Sequence, residues 1–280
     1  MTTTSEPAAR VSKPSLISQL IRRHGGEFRH TINRFLARFS KVGNPAVFSP
    51  DTFPWEAHIT ANAPTIRAEI LSALGSGHEI PAIIDVAPDH KGLDAEGHWR
   101  SFFLWAYGYR IDSLCARCPQ TTAIVEQIPG LLTAMISVHE PGTHLVRHRG
   151  VTKGMVTAHL GLIIPDDLGC RMQVSDQIIR WREGELVVFD DTYEHEVWNE
   201  TDDRRLVLLL HVRRPLRQPG RLLNSLFFWA IRQTAFVKEA RSNILDHAAR
   251  MSATDHGAKP RAHTEESAPI AESQSSDRAA

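Results

Sequence analysis

Between Leu131 and Val212 the sequence holds six short apolar runs: "LLTAMISVH" (131–139), "VTAHLGLIIP" (156–165), "CRMQV" (170–174), "ELVVFD" (185–190), "HEVWN" (195–199) and "RRLVLLLHV" (204–212). Each is rich in Val, Ile or Leu, and Gly, Pro, Asp or Asn marks most of the gaps. No helical stretch intervenes. Short strands at this spacing pair with one another and close into a sandwich or small barrel. The expected fold class is therefore mainly β with flanking helices, a jelly roll of the cupin-like kind.

The remaining sequence frames that region. Residues 1–50 read as a basic amphipathic arm, with apolar positions at helical spacing from Leu16 to Phe39 and a break at Gly25-Gly26. Residues 51–215 form the β domain with a helical lead-in, since Ile66, Ile70, Leu71 and Leu74 recur three and four apart after Pro64. Residues 216–250 predict one long helix with an apolar section at 222–237 interrupted by Arg232, and residues 251–280 a polar, disordered tail.

Charge and cysteine usage narrow the function classes. Lys and Arg number 32 against 32 Asp and Glu, so no global field argues for nucleic acid. The arm is the exception, with eight Lys or Arg against Glu6 and Glu27. Such an arm suits an anionic membrane surface or plain solvation. Peripheral membrane contact through residues 16–40 or 222–237 is one reading of the two amphipathic segments; packing against the domain is the other. The three cysteines leave an odd thiol, which argues against a disulfide framework. The opening "MTTTSEPAAR" has no apolar core behind a basic start, and no run approaches a spanning helix. A cytoplasmic protein is expected, with contact at the inner membrane as the peripheral alternative.

Candidate chemistry starts at "SVHEPGTHLVRHRG" (137–150). His148 stands in a loop before the 156–165 strand, and His195 opens a later strand. Their separation is too long for a local zinc motif, but distant strands meet inside a jelly roll. A non-haem Fe(II) oxygenase site uses two His and one carboxylate, with open positions for cosubstrate and oxygen. The carboxylate position, two after the first His, is Gly150 here. Arg205 heads the strand after His195 and could grip the far carboxylate of a dicarboxylate cosubstrate. Pairing with Asp202 or Asp203 is the competing role.

The segments "SVHEPGTHLVRHRG", "HLGLIIP", "WREGELVVFDDTYEHEVWNETDDRRLVLLL" and "RRP", in that order, resemble the aspartyl/asparaginyl β-hydroxylase family from about Trp99 to Pro215. "CARCPQT" and "IPG" are similar to its bacterial members. The resemblance implies a double-stranded β-helix with Fe(II) and 2-oxoglutarate as cofactors. It implies His148 and His195 as metal ligands, Arg205 and Ser137 on the distal carboxylate of 2-oxoglutarate, and His159 as a donor to the carboxylate beside the metal. Gly150 would leave one position to water. One departure stands out: where the family often has Arg, two residues before that His, this chain has Thr157. Arg147 or Arg149 could stand in for it.

Other polar residues carry milder expectations. His144 should hold the loop, and His139 and His211 should be core or rim histidines. Asp190 and Asp191 should cap a turn or orient His195. Glu196 should face away from His195. Cys115 and Cys118 read as a packed thiol pair, Trp181 and Trp198 as core. The expected function is a dioxygenase hydroxylating an unactivated C–H bond on an Asp or Asn side chain, a small amino-acid derivative or a lipid A acyl chain. The alternative is a cupin-like binding module without catalysis. The partners expected are a small-molecule, peptide or lipid substrate and no nucleic acid; the sequence sets no oligomeric state.

Overall fold

The computed structural model describes residues 29–75, 80–87, 92–94 and 96–257. Most of the amphipathic arm before residue 29 and the tail after residue 257 lie outside these. A helix, α1, occupies 29–38. Its Leu36 is fully buried, and Asn33 reaches the domain by accepting from Lys153 N at 2.9 Å. Helices α2 (Glu56–Ala61), α3 (Ala63–Gly75), α4 (Ile83–Val86), α5 (Asp112–Cys115) and α6 (Pro119–Val125) form the lead-in. Strands β1 (Trp99–Ala106) and β2 (Tyr109–Arg110) come before α5.

Eight strands follow: β3 (Leu131–His139), β4 (Thr143–His148), β5 (Met155–Ile163), β6 (Cys170–Val174), β7 (Gln177–Ile179), β8 (Leu186–Phe189), β9 (His195–Asn199) and β10 (Arg205–Arg213). One sheet runs β2-β1-β3-β10-β5-β8 and the other β4-β9-β6-β7, all antiparallel. Counted from β3, the first, eighth, third and sixth strands make one sheet, and the second, seventh, fourth and fifth the other. That order is a jelly roll, or double-stranded β-helix, as the sequence led us to expect.

The two sheets differ in how they are covered. Strands β3, β5 and β10 are buried on both faces, so they read as nearly continuous apolar runs rather than alternating ones. One face packs under the helices: Ala134, Ile136, Leu208 and Leu210 are all fully buried. The other face, through Thr133, Met135, Ser137 and His139 on β3, lines an interior cavity. In the smaller sheet, β6 and β9 alternate buried and half-buried positions, because one face meets solvent.

The expected single C-terminal helix is two, α7 (Gly220–Gln233) and α8 (Ala235–Gly257), and the second extends past residue 250. The break falls at Thr234, whose backbone is extended and whose hydroxyl accepts from Val237 N at 3.4 Å, starting α8 afresh. α7 is clasped to the barrel by Asn224, whose Nδ2 donates to Gly154 O at 2.8 Å. Gly154 is required there: a Cβ would lie 1.8 Å from Asn224 Oδ1.

Candidate active site

His148 and His195 face each other as register partners on β4 and β9, with ring centroids 4.0 Å apart and planes at 53°. The jelly-roll order makes β4 and β9 neighbours and so closes the long sequence gap between them. His148 is the last residue of a strand, not a loop residue as the sequence suggested; the polar "THLVRH" gives little strand signal. Simple alternation from inward-facing Leu145 would leave His148 outside with His144. Between Leu145 and His148 the register shifts against β9 by one extra residue. This bulge re-aims His148 across the sheet toward His195.

Both imidazoles are oriented by the same device. His148 Nδ1 lies 2.7 Å from Val146 O, and His195 Nδ1 lies 3.0 Å from Tyr193 O, each two residues upstream. A carbonyl can only accept, so each Nδ1 carries the proton and each Nε2 is the unprotonated nitrogen. That is the tautomer a metal ligand needs, held by backbone. Burial, and then the neighbouring His148, push His195 down to about 4, which keeps its ring neutral.

Arg205, at the head of β10, is 1% exposed, and its Nε and Nη1 have no hydrogen-bond partner among the described residues. It does not pair with Asp202 or Asp203; neighbouring Arg204 takes the surface role, donating to Glu140 at 2.6 Å. Arg205 lies over the Trp181 ring at 3.9 Å, so Trp181 is a platform for a cation. Its Nη2 lies 3.3 Å from His159 Nδ1. Guanidinium only donates, so His159 accepts there and carries its own proton on Nε2. Burial, then Arg205, hold His159 well below its usual range. Burial also lowers Arg205 to about 10. Ser137 pairs with Val207 on the adjacent strand and accepts from Trp99 Nε1 at 3.0 Å. Ser137, His159 and Arg205 thus line one cavity with His148 and His195.

The two aspartates after Phe189 have separate fates. Asp190 is fully buried between Arg214 (2.6 Å) and Lys153 (2.5 Å) and accepts from Thr192 N at 3.0 Å, so it caps the β8–β9 turn. Asp191 instead turns into the cavity. A Cβ at Gly150 would lie 2.2 Å from Asp191 Cγ. The Asp191 carboxyl therefore fills the volume from which a carboxylate at position 150 would start. Burial, then Asp190, push it up to about 7. The signal that could have found it is the Gly150 gap itself, which needs a neighbour to fill it.

Of the two arginines that could stand in at Thr157, Arg149 also lines the cavity and Arg147 does not. Arg147 pairs with Glu196 at 3.2 Å on the outer face, and Arg149 pairs with Glu194 at 3.2 Å. His144 stacks on Trp198 and bonds Glu196 at 2.8 Å, also outside, so Glu196 does face away from His195. His139, 2% exposed, and His211 both line the cavity. His211 stands six residues from Arg205 along β10, about 20 Å away, so it serves the far end. Cys115 and Cys118 are buried free thiols, and burial, then Glu69, push Cys118 up to about 12. Among the described residues no group of three or more His, Cys, Asp or Glu forms a metal cluster.

The cavity holds about 450 Å³ and extends from the histidine pair to Phe227, Phe228 and Ile231 of α7. A pair of oriented imidazoles and a buried guanidinium thus stand together inside one double-stranded β-helix. The family model "Aspartyl/Asparaginyl beta-hydroxylase" matches residues 60–215. An ornithine lipid ester-linked acyl 2-hydroxylase from Rhizobium tropici is 42% identical over 213 residues, 74% of each chain. The aspartyl/asparaginyl β-hydroxylase of Homo sapiens is 35% identical over 137 residues, 47% of this chain and 18% of that one. Among solved structures, a Pseudomonas putida prolyl-4-hydroxylase aligns at 19% identity with a TM-score of 0.38, over 57% of this chain and 100% of that one. The chain belongs to the aspartyl/asparaginyl β-hydroxylase family, and it is a hydroxylase.

Proposed function

We propose that the chain is an Fe(II)- and 2-oxoglutarate-dependent dioxygenase that hydroxylates an aliphatic acyl chain of a lipid. The observation that carries this reading is the His148–His195 pair, 4.0 Å apart with both Nδ1 atoms fixed to backbone carbonyls. The cosubstrate fit rests on Arg205. A buried cation with two unpartnered nitrogens is costly unless an anion meets it, and a carboxylate offers the paired acceptors it lacks.

With iron, 2-oxoglutarate and dioxygen bound, the site would supply the oxidising power to break an unactivated C–H bond. The protein's own part is orientation and exclusion of water. His148 and His195 would hold the metal through Nε2. Arg205 and Ser137 would hold the distal carboxylate of 2-oxoglutarate, and the His159 Nε2 proton would go to the carboxylate beside the metal. Asp191, with a pKa near 7, can donate or accept a hydrogen bond in the space beside Gly150. The walls beyond, including Phe103, Leu132, Met135 and Leu209, are apolar. They suit an alkyl chain better than an Asp or Asn side chain, which would bring polar groups to walls with few donors.

The test is turnover of an ester-linked acyl lipid under anaerobically loaded Fe(II) with 2-oxoglutarate and oxygen. Mass spectrometry should find one added oxygen on the acyl chain and stoichiometric succinate. His148→Ala should abolish both. Metal and 2-oxoglutarate binding without product on any acyl lipid would favour the non-catalytic module. A lipid substrate would place the work at the inner membrane surface; no helix among the described residues is long and apolar enough to cross a membrane.

A further inference from the structure

α7 has two apolar faces, and only one has a structural partner among the described residues. Asn224 and Phe228 are buried, and Phe227, Phe228 and Ile231 line the catalytic cavity. Leu222, Leu226 and Trp229 recur four and three apart on the opposite side, so they form one stripe. They are 68%, 57% and 62% exposed. Burying such side chains is strongly favourable, and three in succession on one helix face mark a surface that something else covers.

The stripe leads into a cationic cleft. One turn beyond Trp229, Arg232 and Gln233 begin a hollow of about 340 Å³ shared with Lys238, Arg241 and Leu245 of α8. Arg232 and Arg241 both lie over the Tyr109 ring, at 4.0 and 4.5 Å. Neither they nor Lys238 makes an ion pair with a carboxylate among the described residues. Lys238, Arg241 and Leu245 are exposed. Between Leu216 and Arg241 the sequence has Arg217, Arg221, Arg232, Lys238 and Arg241 against a single acid, Glu239. In a chain of balanced overall charge, this is a local excess.

We infer that the outer face of α7 and the Arg232–Lys238–Arg241 cleft dock the protein onto an anionic lipid bilayer. Leu222 and Leu226 would enter the acyl boundary, Trp229 would sit at the interface, and the guanidinium and ammonium groups would meet lipid phosphates. The inference deepens the lipid reading above and rests on it for its purpose: the helix whose outer face meets the bilayer has an inner face that lines the cavity holding the histidine pair. A second copy of the chain is the competing occupant, but its matching face would offer the cleft's three cations only Glu239 as an acid between Leu216 and Arg241.

Flotation of the full chain with phosphatidylcholine vesicles, with and without phosphatidylglycerol, tests it. Binding should require phosphatidylglycerol and weaken at high salt. Leu226→Ser with Trp229→Ser, and separately Lys238→Glu with Arg241→Glu, should each weaken binding roughly tenfold or more, with unchanged melting temperature because the sites are exposed. Equal binding to both vesicles, or unaltered binding by either double variant, would overturn the inference. So would a wild-type dimer in light scattering that the Leu226→Ser/Trp229→Ser chain dissociates. His148→Ala should float as wild type does. A chain that floats but yields no product sinks the catalytic reading alone, and one that hydroxylates lipid in detergent but does not float sinks the docking alone.

Discussion

Asp191 occupies the space that any side chain at Gly150 would need: a Cβ there would stand 2.2 Å from the Asp191 carboxyl carbon and 2.2 Å from its Oδ1. The two positions therefore cannot both carry a carboxylate. The glycine that interrupts the usual oxygenase triad is matched by an acid entering from the β8–β9 turn.

Gly150→Asp should consequently fail to restore a three-residue metal site. It forces two acids into one volume, and overpacking of this kind costs about 1–3 kcal/mol before repulsion is counted. The melting temperature should fall clearly, and Gly150→Asp with Asp191→Gly should recover most of the loss. Differential scanning calorimetry of the three variants checks this. A stable Gly150→Asp chain with raised metal affinity would contradict the packing.

Arg205 separates binding from stability. Arg205→Met removes a buried, uncompensated charge that is replaced by an apolar stem of similar reach. The apo protein should lose less than about 1 kcal/mol, or gain, because a buried cation with no carboxylate partner among the described residues is itself a cost that the Trp181 and His159 contacts only partly offset. Affinity for 2-oxoglutarate should drop by roughly 2–5 kcal/mol, the usual effect of removing one side of a buried charged contact. Isothermal titration and thermal melting on the same samples read both. Parallel losses in stability and affinity would make Arg205 a structural residue instead.

Asp190 gives a pH signature. Burial raises its pKa, but Arg214, Lys153 and Thr192 outweigh that and hold it below the usual carboxylate value. A carboxyl depressed in the folded state contributes stability above its unfolded pKa, lost as pH falls through the folded one. The gap in stability between wild type and Asp190→Asn should therefore be full at neutral pH, about 3–5 kcal/mol for one partner of a buried pair, and should narrow below about pH 4. Urea unfolding at a series of pH values measures it. A gap that is constant down to strongly acidic pH would refute the pairing.

The bulge in β4 makes a further prediction. Deleting exposed Val146 removes the extra residue and gives plain alternation with Leu145 and His148 inward and Arg147 outward, so His148 should still meet His195. Cobalt(II) titration should show site affinity clearly above that of His148→Ala, while far-ultraviolet circular dichroism stays that of a β protein. Affinity as low as in His148→Ala would mean that the strand register does not aim the ligand.

These features differ in how visible they were in sequence. Strands β3, β6 and β9 read directly with their boundaries, because buried apolar runs between turn residues leave few other options. β4 did not, since its outward His, Val and Arg dilute the pattern, and the extra residue that re-aims His148 has no local signature. The site residues Ser137, His148, His159, His195 and Arg205 lie along one cavity. Asp191 was legible only as one of two adjacent acids: which of them is paired with Arg214 depends on where β10 ends relative to β8, a tertiary fact. The division of the C-terminal helix at Thr234 was hidden because no Gly or Pro marks it; an extended backbone and a hydroxyl cap make the break.

The convergence of His148 and His195 on one metal ion is tested most directly by anomalous diffraction from crystals soaked with manganese(II) and 2-oxoglutarate. The expected map has a single strong peak within bonding distance of both Nε2 atoms, with density for the diacid reaching Arg205. A peak bound to one histidine only, or a metal held elsewhere while both Nε2 atoms stay unligated, would contradict the site as described.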